Sequence, residues 1–279
     1  MTLRALAWGV CGLATALLCA PVAATAQELA AVNVRPLSLP SAPPNLSPDC
    51  RSKRLPGEAF RRPLPALRRA ARANRAVKVL AIGSSSTAGV GASSQAATYV
   101  AKLETSLEGT LKGLDFEVIG RGQGGEEAQG AADRMKREVE DAKPDLVVWQ
   151  VGTNDAIRHV NLDRFKLCLK TTLAWLKDQR IDLVLVDPQY GDALAKDEYY
   201  GEVVGAIAEV ARERGVMLVD RFESMRELAR QNGDRFYLAA DNLHLNDTGH
   251  RCTAEQLARS IVAGLLTADS DAAQPIFYP

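Results

Sequence analysis

The sequence predicts an α/β fold: a doubly wound, mostly parallel five-stranded sheet with helices on both faces. Three observations predict it. Five short apolar runs alternate with helical patterns, the runs are continuous, and the chemically unusual residues follow directly on the ends of the runs. Continuous apolar runs are what strands covered on both faces require. Alternation of strand and helix argues for parallel strands joined by helical crossovers, with the site outside their carboxyl ends.

The candidate strands are residues 77–82, 116–119, 146–151, 181–186 and 216–219. A short helix is expected over 65–74, followed by helices over 99–111, 126–142, 162–179, 198–214 and 222–231, with a last one over 248–266. The 279 residues, 47% hydrophobic and 24% charged, accommodate one such domain with a full core after the ends are set aside.

The ends differ from the middle. Residues 1–26 read as a secretory signal, because Arg4 precedes an apolar run from Ala5 to Ala20, and Ala24-Thr25-Ala26 supplies a small-x-small cleavage site. Export to the periplasm or beyond the cell is therefore expected. No later segment approaches the roughly 20 apolar residues a membrane span needs, so no stable membrane insertion is expected after cleavage. Residues 27–75 form a proline-rich, basic arm that holds eight of the thirteen prolines. From Arg51 to Lys78, ten basic residues face the single acid Glu58, the pattern of a solvated, basic approach segment. Over the whole chain 34 Lys and Arg balance 34 Asp and Glu, so no global field points to nucleic acid or anionic lipid. The α/β domain is placed at 76–267 and a C-terminal tail at 268–279.

Export leaves Cys50, Cys168 and Cys252 in an oxidising compartment. Cys168 shares a helical stripe with Phe165, Leu169, Thr172, Trp175 and Leu176, which predicts a buried free thiol. Cys252 falls opposite the apolar stripe of the last helix and is expected to face outward, within reach of a wrapping arm. Cys50 sits in that arm. A Cys50–Cys252 disulfide is the pairing expected.

Three loops carry chemistry. Ile82-Gly83-Ser84-Ser85-Ser86-Thr87-Ala88-Gly89 ends a strand on glycine and follows it at once with serine, a turn that lifts a hydroxyl out of the core. Gly120-Arg121-Gly122-Gln123-Gly124-Gly125 matches a dinucleotide string but follows the second strand rather than the first, which argues against nucleotide. Its glycines and the following helix start suit close approach to an anion. Gly152-Thr153-Asn154-Asp155 ends a buried strand with an amide donor.

Three histidines remain to be sorted. His159 has no carboxylate at helpful spacing and reads as a surface residue. Asp241-Asn242-Leu243-His244 and Asp247-Thr248-Gly249-His250 repeat one spacing, so position decides. His250 lies on the side of Ala254, Leu257, Ile261 and Leu265 and packs inward, while His244 lies on the preceding loop.

Together these four blocks, in order over about residues 77–266, resemble the SGNH (GDSL-like) hydrolases. The resemblance implies a three-layer, flavodoxin-like fold and a serine esterase. It also implies Ser85 as nucleophile, His244 as general base and Asp241 as its orienter, with the oxyanion held by Ser85 N–H, Gly125 N–H and Asn154. Among Ser84, Ser85 and Ser86, the alignment with the family is what selects Ser85. The chain departs from the family in placing Ser84 where Asp usually precedes the nucleophile, and Gly120 where Asn usually opens the second block. No cofactor is expected, and no His, Cys and carboxylate cluster has metal-ligand spacing. The expected substrate is a small-molecule or glycan ester with a short acyl group, O-acetyl on a polysaccharide or cell-wall sugar first, with Gln189 and Tyr190 lining the pocket. An O-acyltransferase and a non-catalytic glycan-binding module are the alternatives.

Overall fold

The structure, a computed structural model, describes residues 39–51, 61–73 and 75–267. The expected signal (1–26) and tail (268–279) lie outside the described residues, as does much of the arm. Five parallel strands form one sheet in the order β2-β1-β3-β4-β5: β1 (Val77–Gly83), β2 (Phe116–Gly122), β3 (Leu146–Gln150), β4 (Asp182–Val186) and β5 (Met217–Val219). Between and around them run α1 (Pro65–Arg72), α2 (Ser85–Ala88), α3 (Tyr99–Thr110), α4 (Ala128–Ala142), α5 (Thr153–Ile157), α6 (Leu162–Asp178), α7 (Glu198–Arg214), α8 (Arg221–Asn232) and α9 (Asp247–Leu266).

Alternation along the strands sorts the core into two faces. Leu80, Ile82, Val147, Trp149, Leu183 and Leu185 turn toward α4, α6 and α7. Val79, Ala81, Leu146, Val148, Val184 and Val186 turn toward α1, α3 and α9. Since both faces are covered, the inner strands read as unbroken apolar runs. The edge strand β2 is different: Glu117, Gly120 and Arg121 are exposed.

β2 also runs three residues beyond the expected 116–119, pairing Gly83 with Gly122. Glycine is required there, because a Cβ on Gly122 would lie 2.0 Å from the Ala88 backbone nitrogen of α2. Helix α4 correspondingly begins at Ala128 rather than 126.

Part of the basic segment is structural. Arg68 donates to the carbonyls of Leu265 and Thr267 at the end of α9, where orphan carbonyls want cations. Arg75 forms a two-pronged pair with Asp145, at 2.8 and 2.5 Å.

Cys50 and Cys252 form the disulfide, and Cys168 is a buried free thiol. The outward orientation expected for Cys252 does not hold. The far side of α9 is itself covered, by the arm, by α8 and by the segment after it, so the bridge sits in a third apolar cluster with Leu46, Met225, Leu228, Tyr237, Leu238 and Leu245. Polar bonds complete the docking: Ser47 N–H donates to Glu255 at 2.8 Å, Arg251 to Ser47 Oγ and Asp49 at 2.8 Å each, and Tyr237 OH to the Asp49 carbonyl at 3.0 Å. Removing the bridge with Cys50→Ser/Cys252→Ser should lower stability by about 2–5 kcal/mol, because a link between residues 202 apart constrains the unfolded chain strongly. Denaturant unfolding of the folded double variant against its parent measures it, and equal midpoints would refute it.

His250 is fully buried on α9, stacked near Tyr99. Its Nδ1 accepts the Tyr99 N–H at 3.2 Å, which makes Nε2–H the donor to the Val90 carbonyl at 3.4 Å. Burial pushes its pKa down from 6.5 to about 4. A depressed histidine pKa means the unfolded chain binds the proton first. Its contribution is therefore complete above pH 6.5 and is lost as pH falls toward 4. Asp155, raised by burial to about 6, titrates in the same window in the opposite sense. The gap in unfolding free energy between the parent and His250→Gln isolates the histidine. That gap should shrink by on the order of 3 kcal/mol between pH 7 and pH 4, and a pH-independent gap would contradict the assignment.

Candidate active site

Three consecutive neighbours in the sheet, β2, β1 and β3, bring the serine, glycine and asparagine loops side by side at the carboxyl edge. β1 ends at Gly83, where a Cβ would come within 2.7 Å of the Gln150 carbonyl oxygen. The chain then turns sharply. Ser84 is buried, and both its N–H (3.0 Å) and its hydroxyl (3.1 Å) donate to Gln150 Oε1. Gln150 thus braces the turn that the family usually braces with Asp. Ser85 follows, half-buried, as the first residue of α2, which ends on left-handed Gly89.

The histidine arrives from the other end of the chain. His244 Nε2 lies 2.9 Å from Ser85 Oγ, and His244 Nδ1 lies 2.6 Å from Asp241 Oδ2. Asp241 Oδ1 accepts the N–H groups of Leu243 (3.0 Å) and His244 (2.9 Å). The His244 hydrogen bond, foremost, holds the Asp241 carboxyl down at about 2. An ionised Asp241 only accepts, so Nδ1 carries the proton and Nε2 presents its lone pair to the serine hydroxyl. Gly91 supports this loop from below: its φ is +90°, and a Cβ there would lie 2.2 Å from the Leu245 carbonyl oxygen.

The glycine loop is clamped from both sides. Asn154 Nδ2 donates to the Glu126 carbonyl at 2.8 Å, which leaves its second hydrogen unused by that bond. Asp155 accepts the Ala128 N–H at 3.0 and 3.1 Å, so it caps α4 from the first turn of α5. Arg134, buried on α4, holds the Glu126 carboxylate with two bonds of 2.7 Å and donates to the Arg121 carbonyl at 2.8 Å. Arg158 donates to the Gly125 carbonyl and to Glu127, each at 2.8 Å. Gly125 takes φ +74° at the crest.

One expectation needs correction. Gln189 does not line an open pocket: it is 1% exposed, and its amide is committed on both sides. Its Nε2 donates to the Leu243 carbonyl (3.0 Å), while Oε1 accepts from Thr153 Oγ1 (3.0 Å) and Arg221 Nη2 (3.1 Å). Tyr190 beside it is half-buried against Phe222, with its hydroxyl donating to Asp192 at 2.7 Å. His159 is exposed as expected but has a carboxylate partner after all, Asp197 at 2.8 Å, supplied by the start of α7 rather than by sequence spacing.

Gln150, Arg134 and Arg221 were missed by sequence reasoning. Gln150 had a signal, a polar residue closing the run Leu146-Val147-Val148-Trp149. Arg134 and Arg221 had none, lying among other charged residues. Among the described residues, no group of three or more His, Cys, Asp or Glu is placed to hold a metal ion.

Comparison with known proteins places this geometry in context. Among curated proteins, none matches the chain by sequence. Among solved structures, the acetyl xylan esterase AlAXEase is 28% identical, with a TM-score of 0.56 over 65% of this chain and 98% of its own. A variant of Axe2, an acetyl-xylooligosaccharide esterase from Geobacillus, is 24% identical with a TM-score of 0.58, over 66% of this chain and 94% of its own. A two-domain esterase (CEX) active on acetylated mannans reaches a TM-score of 0.62 at 19% identity, over 80% of this chain and 59% of its own. The model of the non-GDSL lipase-like family matches residues 54–267, most of the chain, and the protein belongs to that family.

Proposed function

We propose that the protein is an exported serine esterase that removes short acyl groups, O-acetyl on a polysaccharide first, through an acyl-enzyme on Ser85. The enzyme is a carboxylic ester hydrolase by its family. One observation carries the site assignment: the unbroken line from Asp241 through His244 to Ser85 Oγ, with contacts of 2.6 and 2.9 Å. That line is what a hydroxyl needs to become a nucleophile near neutral pH.

In this mechanism Ser85 Oγ attacks the ester carbonyl carbon as His244 Nε2 takes its proton. Asp241 keeps the imidazole in the useful tautomer and offsets the charge that forms on it. The carbonyl oxygen becomes an oxyanion held by Ser85 N–H, Gly125 N–H and the free hydrogen of Asn154 Nδ2. Each such donor contributes roughly 3 kcal/mol to the transition state. Collapse breaks the ester C–O bond, and His244 returns the proton to the leaving alcohol oxygen. Water, deprotonated by the same nitrogen, then releases the acid from Ser85.

The glycan substrate is supported by the acetyl xylan esterase at 28% identity, which the chain covers almost end to end. Export is supported by the leader-like residues 1–26 and by a disulfide of the kind oxidising compartments preserve.

Hydrolysis of 4-nitrophenyl acetate by the mature protein tests the chemistry. Ser85→Ala and His244→Ala should each lower kcat by on the order of 10⁴-fold or more, whereas Ser84→Ala and folded His250→Gln keep at least part of the activity. Release of acetate from acetylated xylooligosaccharide, with no turnover of long-chain esters, tests the substrate. An active Ser85→Ala variant would overturn the nucleophile, and preference for long acyl chains would overturn the substrate.

A further inference from the structure

We propose that Gln189 is a positioning residue that locks the oxyanion loop and the histidine loop into one rigid unit. The proposal rests on the assignment of Ser85, His244 and Asn154 given above. Gln189 lies past the end of β4, and the hydrogen bonds of its side chain go to neither Ser85 nor His244. Two of its three side-chain partners, however, are the immediate neighbours of functional residues. Thr153, which donates to Oε1 at 3.0 Å, precedes Asn154. Leu243, whose carbonyl accepts from Nε2 at 3.0 Å, precedes His244.

The direction of the amide is fixed by chemistry. Arg221 is fully buried, and its guanidinium can only donate, so the oxygen of Gln189 must face it, at 3.1 Å. The amide nitrogen is thereby turned toward Leu243. Arg221 is itself anchored through Nε on the Asp187 carbonyl at 3.0 Å, and the Gln189 carbonyl accepts from Tyr200 OH at 2.8 Å. Neither end of the strut is free to rotate.

The peptide between Leu243 and His244 is the member that this strut immobilises. Its carbonyl oxygen accepts from Gln189, and its N–H donates to Asp241 Oδ1 at 2.9 Å. A peptide plane pinned on both edges sets the direction in which the His244 side chain leaves the backbone. An error of about 1 Å in such a position is enough to cost on the order of a hundredfold in rate.

Gln189→Glu is the informative variant. It keeps the shape and gives Arg221 and Thr153 a better acceptor, but it sets a carboxylate oxygen against the Leu243 carbonyl. Stability and catalysis should therefore separate. Thermal midpoint is expected to stay within a few degrees of the parent, while kcat on 4-nitrophenyl acetate falls about ten- to a hundredfold and KM changes less than about threefold. Gln189→Met, which removes every side-chain bond at similar volume, should lower kcat as well. Gln256→Met is the matched control, a buried amide on α9 without a hydrogen-bond partner among the described residues, and it should leave kcat unchanged. A folded Gln189→Glu enzyme with parental kcat, or a fall of the same size in Gln256→Met, overturns the strut. Ser85→Ala is run alongside: if it stays active, the site assignment fails and the strut fails with it, whereas a dead Ser85→Ala beside a fully active Gln189→Glu sinks the strut alone.

Discussion

The contact between Ser85 Oγ and His244 Nε2 joins residues 159 apart, and much of the fold serves to keep those two atoms 2.9 Å from each other. The serine is fixed to the sheet, one residue past the neighbour of Gly83. The histidine sits on the loop that leads into α9. Its position therefore depends on how α9 packs, on α3 and the sheet through Ala254, Leu257 and Ile261, and on the arm through the disulfide. His250 contributes to the same end without touching the chemistry, because its ring joins the first turn of α9 to the start of α3 through the Tyr99 N–H. Parallel strands make this economical: a sheet whose strands all end at one edge needs only short loops to converge there.

The layers of the fold were legible because burial on both faces leaves a simple trace, an apolar run bounded by turn residues. All five strands and the longer helices fall within a few residues of their expected places. The exceptions have one cause each. The extension of β2 through Gly120-Arg121-Gly122 is invisible as a run because an edge strand is half-exposed and carries charge. Cys252 looks outward when only the sheet is counted as core, and the arm supplies a second covering layer that periodicity on α9 cannot reveal.

The site was legible to a different depth. Ser85 and Asn154 just past strand ends, and His244 on the loop before α9, stand out because nothing about a turn requires that combination in that order. The long side chains beneath them do not stand out. Arg134 sits in Asp133-Arg134-Met135-Lys136-Arg137-Glu138, a stretch that reads as a solvated helix face, yet it is buried against Glu126 with side-chain exposures of 8% and 7%. A buried guanidinium costs a great deal unless each of its bonds is satisfied. Such a residue is informative only once its partners are seen, and its partners come from other elements.

The exchange of Asp for Ser before the nucleophile follows the same logic of matched donors and acceptors. Gln150 Oε1 collects three donors at once, the Ser84 N–H, the Ser84 hydroxyl and, at 3.4 Å, the Thr87 hydroxyl. A carboxylate at 84 would keep the backbone N–H but replace the Ser84 hydroxyl donor with an acceptor set against that same oxygen. Thr87 is further committed to Tyr99 OH at 2.8 Å, and Tyr99 to His250 through its backbone. Ser84 and Gln150 therefore belong together as one solution to bracing the nucleophile turn. Keeping that turn free of a carboxylate leaves Asp241 as the acid bonded to the Ser85–His244 pair, so the negative charge stands on the Nδ1 side of the imidazole, where it favours proton removal from Ser85 without opposing the oxyanion.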